Sequence, residues 1–192
     1  MNAWELIDGD NTLLTHFDLN EESIVIDAGG YMGDWSAKII EKYNPYITIY
    51  EPVKEFFDDI SGRFATKLKI TIIQEALWIK NGSIIIGVDD VSSGIYCDKN
   101  RTIVNCADVI EELNLFDHID LVKMNIEGSE YELLKRIITN NAISKIDNIL
   151  IQFHDFTEMH KKEILVIKQY LLRTHELIFS FPYIWEHWRI KK

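Results

Sequence analysis

The stretch Ser23-Ile-Val-Ile-Asp-Ala-Gly-Gly-Tyr-Met-Gly-Asp-Trp-Ser36 decides the fold. Ile24, Val25 and Ile26 form a short β-branched run bounded by polar residues, the pattern of a strand buried on both faces of a parallel sheet. Asp27 ends the run. Gly29, Gly30 and Gly33 follow, letting the backbone turn tightly and leaving bare peptide groups against which a ligand can lie. Asp34 opens a helix. A strand, a glycine turn and a helix in succession set backbone N–H groups and a helix N-terminus at the carboxyl edge of a sheet, where open α/β sheets take their ligands. The dinucleotide fingerprint G-x-G-x-x-G is not met, because Tyr31 stands where its middle glycine belongs. A nucleoside without phosphates therefore suits this loop better than a pyrophosphate.

Downstream, Ala37, Ile39, Ile40 and Tyr43 give one apolar helix face, stopped by Asn44-Pro45. Ile47, Ile49 and Tyr50 predict a second strand, ended by Glu51-Pro52. Val53, Phe56, Phe57 and Ile60 recur at i, i+3, i+4 and i+7, an amphipathic helix with Pro52 at its first turn. In a right-handed β-α-β unit the second strand lies beside the first, so Glu51 faces the glycine turn across the sheet edge. A carboxylate there can accept both hydroxyl hydrogens of a ribose.

A third strand covers Lys69 to Ile73. Ala76 to Lys80 and Ser83 to Gly87 flank Asn81-Gly82, which predicts a β-hairpin. This insertion and the polar stretch from Asp89 to Arg101 are expected over the ligand edge, with Ser92, Ser93 and Gly94 in reach of a ligand. Val109, Ile110 and Leu113 mark a short helix, and Ile119 to Asn125 a further strand. Lys123 is unusual in such a strand: burying a lone ammonium is costly, so it either points out at the strand end or pairs with a carboxylate, which Glu127 is close enough to supply. Tyr131, Leu134, Ile137 and Ile138 give the next helix face. Ile146 to Phe153 form a fifth strand ending in His154-Asp155, at the edge where Asp27, Glu51 and Asn125 converge. Thr157 caps a helix carrying Ile164, Ile167 and Leu171, and two last strands, Leu177 to Phe181 and Ile184 to Ile190, are parted by Pro182. Their aromatic residues read as core.

The chain has 192 residues, 47% of them hydrophobic and 27% charged, which fits one globular domain. It divides into a helical lead-in (1–22), a cofactor-binding core (23–155) and a C-terminal helix with the last strands (156–192). The net charge of −11 repels phosphate backbones, so nucleic acid is not an expected partner. Cys97 and Cys106 are too few and wrongly spaced for a zinc site or a disulfide framework. No apolar run approaches the ~20 residues of a membrane span, and the first residues carry Trp4, Glu5 and Asp8 rather than a signal peptide. A cytoplasmic protein is the expectation.

Together these segments resemble the class I S-adenosylmethionine-dependent methyltransferases, and in detail the FkbM family. The matching residues are Ile26-Asp-Ala-Gly-Gly-Tyr-Met-Gly33, Tyr50-Glu-Pro52, Glu75-Ala-Leu77 and Leu121-Val-Lys-Met-Asn-Ile-Glu-Gly-Ser-Glu130. The last resembles the family's Lys-x-Asp-x-Glu-Gly-x-Glu segment, with Asn125 where the family has aspartate. The resemblance implies a Rossmann-like, doubly wound, mostly parallel seven-stranded α/β sheet with a reversed last strand. It also implies O-methylation of a sugar, polysaccharide or other small hydroxylated substrate. S-adenosylmethionine would be held by Asp27, Gly29 and Gly33 at its amino acid end, by Glu51 at the ribose, and by Glu75 and Ala76 at the adenine, with Gly30, Tyr31 and Asn125 also among its binding residues. His154 is the first candidate base by its reference pKa of ~6.5, followed by Lys123 and Glu127.

Three other readings stand beside this one. A divalent cation on Asn125, Glu127, His154 and Asp155 could activate the acceptor hydroxyl. A nicotinamide-dependent dehydrogenase would share the ribose-binding acid. A catalytically inactive methyltransferase-like binding domain would account for Asn125.

Overall fold

The computed structural model of the chain describes residues 2–89 and 93–192. Two short helices, α1 (Ala3–Leu6) and α2 (Gly9–Thr12), lead into β1 (Ile24–Ala28), α3 (Asp34–Tyr43), β2 (Tyr46–Tyr50), α4 (Lys54–Arg63) and β3 (Ile70–Ile73). Three strands follow, β4 (Ala76–Trp78), β5 (Gly82–Ile86) and β6 (Thr102–Asp108), and then α5 (Val109–Leu113). The chain closes with β7 (Ile119–Met124), α6 (Glu130–Thr139), a 3-10 turn (Ala142–Lys145), β8 (Ile146–Ile151), α7 (Glu158–Thr174), β9 (His175–Phe181) and β10 (Trp185–Ile190).

The main sheet has seven strands in the order β3-β2-β1-β7-β8-β10-β9. Its first five are parallel, and β10 runs antiparallel to both of its neighbours. This is the doubly wound sheet with a reversed last strand that the resemblance implies. Successive residues of a strand point to opposite faces, and both faces of these strands are apolar. Val25, Ile47, Ile49, Leu121 and Leu150 pack on one side with Ile39 and Ile40 of α3 and Ile60 of α4. On the other side Ile26, Val122, Met124, Ile149 and Ile151 pack with Leu133, Leu134 and Ile137 of α6 and Ile164, Ile167 and Leu171 of α7. Ile39, Ile60 and Ile149 are fully buried, and truncating any of them to alanine costs about 2–5 kcal/mol.

The chain crosses one face on the way from β1 to β3 and the other after β7, so the winding reverses between β1 and β7. Ligands of open α/β sheets bind at such a reversal, beyond the carboxyl ends of the strands. Asp27 lies opposite Lys123 there, and Ala28 lies between Tyr50 and Met124.

Two local expectations are corrected. Asn81-Gly82 does not close a hairpin between the strands on either side of it. β4 and β5 both pair with β6, which lies between them, parallel to β4 and antiparallel to β5. A type I′ turn needs positive φ at both central residues, and only Gly82, at φ 137°, has it. The Asn81 side chain is used instead to accept from the Asp108 amide at 2.7 Å and to donate to Glu111. Pro52 also lies just outside α4, whose N-cap is Val53. The C-terminal aromatics are largely core: Trp185 and Trp188 are buried, and Phe179 and Phe181 pack on Trp4, while Tyr183 is exposed.

Candidate active site

A cleft opens at the carboxyl ends of β1, β2 and β7, roofed by the three-stranded sheet. Gly29, Tyr31, Glu51, Asn125 and Glu127 line it from the main sheet, and Ala76, Leu77, Trp78, Ile84 and Ile86 line it from the roof. Asp89, Ser93 and Gly94 close the rim. The insertion therefore lies over the ligand edge as the sequence suggests; Ser92 falls outside the described residues.

The glycine turn works differently from its sequence reading. The amides of Gly29 and Gly30 both donate to the Tyr50 carbonyl, at 3.0 and 3.1 Å, and the Gly33 amide donates to Gly30. The first two N–H groups are thus occupied by the end of β2, and the third by the turn itself. What the glycines supply is closeness. Gly29 sits at φ 87°, and a Cβ there would lie 2.1 Å from the Asn125 carbonyl oxygen. A Cβ on Gly30 would lie 2.4 Å from Ile49, and one on Gly33, the N-cap of α3, would lie 2.9 Å from Phe64. Gly30 and Gly33 shape the turn from behind, and Gly29 alone of the three borders the cleft.

Glu51 faces the turn, as expected. Its Oε2 accepts from the Tyr31 amide at 2.8 Å and its Oε1 from the Val53 amide at 2.9 Å. Tyr31 holds this position at φ 48°, with its ring edge-on to Phe56 at 4.7 Å. Burial dominates the electrostatics of Glu51 and pushes its pKa up from 4.5 to about 7, against the opposing pull of the two amides and of Lys123. Further lone pairs on each oxygen stay available to a donor in the cleft.

Lys123 does not pair with Glu127. Its Nζ lies 2.8 Å from Oδ1 of Asp27 and donates to the Gly29 carbonyl at 2.7 Å. The other Asp27 oxygen accepts from the Ser36 hydroxyl at 2.6 Å. Both residues are buried behind the turn rather than on the cleft, since strand register sets them side by side. Glu75 likewise lies outside the cleft lining, while its neighbour Ala76 belongs to it.

Glu127 is the carboxylate at the cleft's outer end. It stands at φ 50°, followed by Gly128 at φ 94°, and a Cβ on Gly94 would lie 2.7 Å from its own Cβ. Behind it is His154, whose Nε2 lies 3.3 Å from Glu127 Oε1 and whose Nδ1 lies 3.0 Å from Oε1 of the fully buried Glu130. Burial works to lower the His154 pKa, but the hydrogen bonds and charges of the two glutamates outweigh it and raise the pKa from 6.5 to about 10. The imidazole is therefore a cation at neutral pH, which overturns its sequence reading as a ready proton acceptor. Glu130 was missed as a functional residue. Its signal was a glutamate opening a helix after a Gly-Ser turn, able to reach back to the preceding amides.

Asn125 brings an unmet group to the cleft. Its Oδ1 is buried at the cleft without a hydrogen-bond partner. Orphaned acceptors are uncommon in folded proteins and mark places where a donor arrives. The Asn125, Glu127, His154 and Asp155 set does not form a metal cage. Among the described residues no group of three or more His, Cys, Asp or Glu side chains is arranged to hold a cation, and both His154 nitrogens are engaged.

No protein-family model matches the chain, and no curated protein matches it in sequence. Solved structures do. A candidate rRNA methylase of Clostridium thermocellum is similar at a TM-score of 0.60 and 10% identity, over 97% of this chain and 96% of that one. A candidate methyltransferase of Streptococcus mutans, crystallised with S-adenosylhomocysteine, is similar at a TM-score of 0.60 and 9% identity, over 100% and 99%. The fibrillarin of Aeropyrum pernix, with natively bound S-adenosylmethionine, is similar at 0.52 and 11%, over 95% and 74%. The chain has the Rossmann-like fold of the S-adenosylmethionine-dependent methyltransferases.

Proposed function

We propose that this protein is an S-adenosylmethionine-dependent methyltransferase that methylates a hydroxyl oxygen of a small substrate. The observation that carries the reading is the placement of Glu51 and of the unpartnered Asn125 Oδ1 on one cleft, at the reversal of a methyltransferase-type sheet. The residues fit the cofactor. Glu51 offers carboxylate lone pairs to ribose hydroxyls, Asn125 an acceptor to an ammonium or hydroxyl donor, and Ala76, Leu77 and Trp78 an apolar wall to a flat base. The bare Gly29 leaves room close to the backbone. S-adenosylmethionine, when bound, supplies a methyl group already activated by its sulfonium.

The chain then has two tasks, to orient the acceptor and to take its proton. Glu127, the carboxylate at the cleft's outer end, fits the second task. His154 lies behind it as a cation, and Lys123 is engaged with Asp27 and Gly29, so neither is free to act as a base. The O-methyl transfer itself is supported by the resemblance of Leu121 to Glu130 to the FkbM segment, and the charge of −11 suits a neutral or cationic acceptor better than a polyphosphate.

The test is transfer of a labelled methyl group from S-adenosylmethionine to a panel of sugars and other hydroxylated metabolites, with wild type and Glu127→Gln. A general base contributes about 10²–10⁴ in rate, so the variant should lose at least a hundredfold while still binding the cofactor. Full turnover by Glu127→Gln would remove it from the role.

A further inference from the structure

One carboxylate beside this site is never exposed by the cleft. Glu130 is 0% exposed, yet it carries three donors. Its Oε1 accepts from the Ile126 amide at 2.9 Å and from His154 Nδ1 at 3.0 Å, and its Oε2 accepts from the Gly128 amide at 2.8 Å. Those two amides flank Glu127 on either side. Glu127 and Gly128 are both held in left-handed backbone, a conformation that a glutamate adopts only under constraint. One buried carboxylate therefore fixes both the peptide that bears Glu127 and the ring behind it.

We propose that Glu130 is a positioning residue which, by accepting Nδ1–H of His154, turns the Nε2–H of that ring onto Glu127 and holds the Glu127 carboxylate to the cleft. This rests on the reading of Glu127 as the proton acceptor. The proton moves from the acceptor hydroxyl to the Glu127 carboxylate, while His154 keeps both of its N–H protons throughout.

The surroundings of His154 support this division of labour. The charged groups facing the ring are Glu127, from the loop after β7, and Glu130, from the first turn of α6. Phe156 lies parallel to it at 5.4 Å and 5°, closing one face with an apolar ring. The Tyr131 hydroxyl donates to the His154 carbonyl at 2.8 Å, tying the end of β8 to α6. Asp155, next in the chain, is exposed. A buried carboxylate needs a charged partner, and the imidazolium is the cation that touches Glu130. Lys123 is already taken by Asp27.

The experiment is long-range ¹H–¹⁵N spectroscopy of the imidazoles in wild type, Glu130→Gln and Glu127→Gln, combined with steady-state kinetics. Wild type is expected to show His154 protonated on both nitrogens near neutral pH. In Glu130→Gln the Nδ1 proton should be lost and the titration of His154 should fall by about one unit or more. With it kcat should drop about tenfold or more, while the cofactor dissociation constant stays within about twofold. Glu127→Gln should keep the Nδ1 proton. A neutral His154 in wild type overturns the proposal, and that spectrum decides the matter even if Glu130→Gln does not fold. A folded Glu130→Gln with an unchanged His154 titration, or with unchanged kcat, overturns it as well. The spectra need neither cofactor nor acceptor. Failure of S-adenosylmethionine to bind would thus sink the functional reading without altering them, whereas a neutral wild-type His154, or an unchanged His154 titration in Glu130→Gln, with binding intact would sink only the role of Glu130.

Discussion

Lys123 and Asp27 form a buried ion pair across neighbouring parallel strands, Nζ to Oδ1 at 2.8 Å, directly beneath the glycine turn. The same ammonium donates to the Gly29 carbonyl at 2.7 Å, so the pair anchors the turn from below. Breaking a buried pair from one side leaves a stranded charge, which typically costs about 3–5 kcal/mol. Lys123→Met is accordingly expected to lose stability in that range in denaturant unfolding, and the double variant with Asp27→Leu to recover part of it. A loss below about 1 kcal/mol would show that the ammonium is not essential to the turn.

Glu51 makes ligand affinity depend on pH. Its pKa is raised to about 7 by burial, so much of the carboxylate is protonated just below neutrality. Donors such as ribose hydroxyls need the ionised form. Affinity for S-adenosylmethionine should therefore fall roughly tenfold from pH 8 to pH 6, as the ionised fraction does. Calorimetric titration at both values measures it, and a flat profile would contradict the assignment.

The same carboxyl and His154 both tilt stability against alkali. The Glu51 pKa is higher in the folded chain than its ordinary 4.5, so the folded state holds the extra proton between about 4.5 and 7, and stability falls as pH rises through that window. His154 is raised from 6.5 to about 10; its contribution is complete below 6.5 and is lost as pH rises through 10. Melting followed from pH 6.5 to 10 should show a steady decline, and His154→Ala should flatten it. An unchanged slope in that variant would mean that the imidazole is not charged between its glutamates.

Two glycines should answer oppositely to alanine. Gly29→Ala forces a Cβ to within 2.1 Å of a backbone oxygen at φ 87°, so the turn must move, with loss of stability and of cofactor binding. Gly62, inside α4, has nothing within 4 Å of where its Cβ would stand. Gly62→Ala should stabilise by about 0.5–1 kcal/mol through helix propensity, without altering binding. Thermal melts of the two variants side by side make the comparison.

Much of this was legible in the chain because local pattern and tertiary fate agree. Ile24 to Ile26 must be buried on both faces, so they form an inner strand. Glu51 ends the next strand, so it must meet the turn. What failed were features fixed by partners remote in sequence. The carboxylate for Lys123 was sought in nearby Glu127, but register delivers Asp27 from another strand. The amides of Gly29 and Gly30 looked open, but the end of β2 fills them through Tyr50. Asn81-Gly82 looked like a hairpin turn until β6 came between its flanking strands. The charge of His154 was hidden for the same reason, since a reference pKa contains nothing of two glutamates arriving from the loop after β7 and the start of α6.

The most direct test of the account is calorimetric titration of S-adenosylmethionine into wild type and Glu51→Ala. Micromolar binding to the wild type, weakened at least tenfold in a folded Glu51→Ala, is the expected result. A folded wild-type protein that takes up no S-adenosylmethionine would contradict the account and leave a methyltransferase fold serving some other purpose.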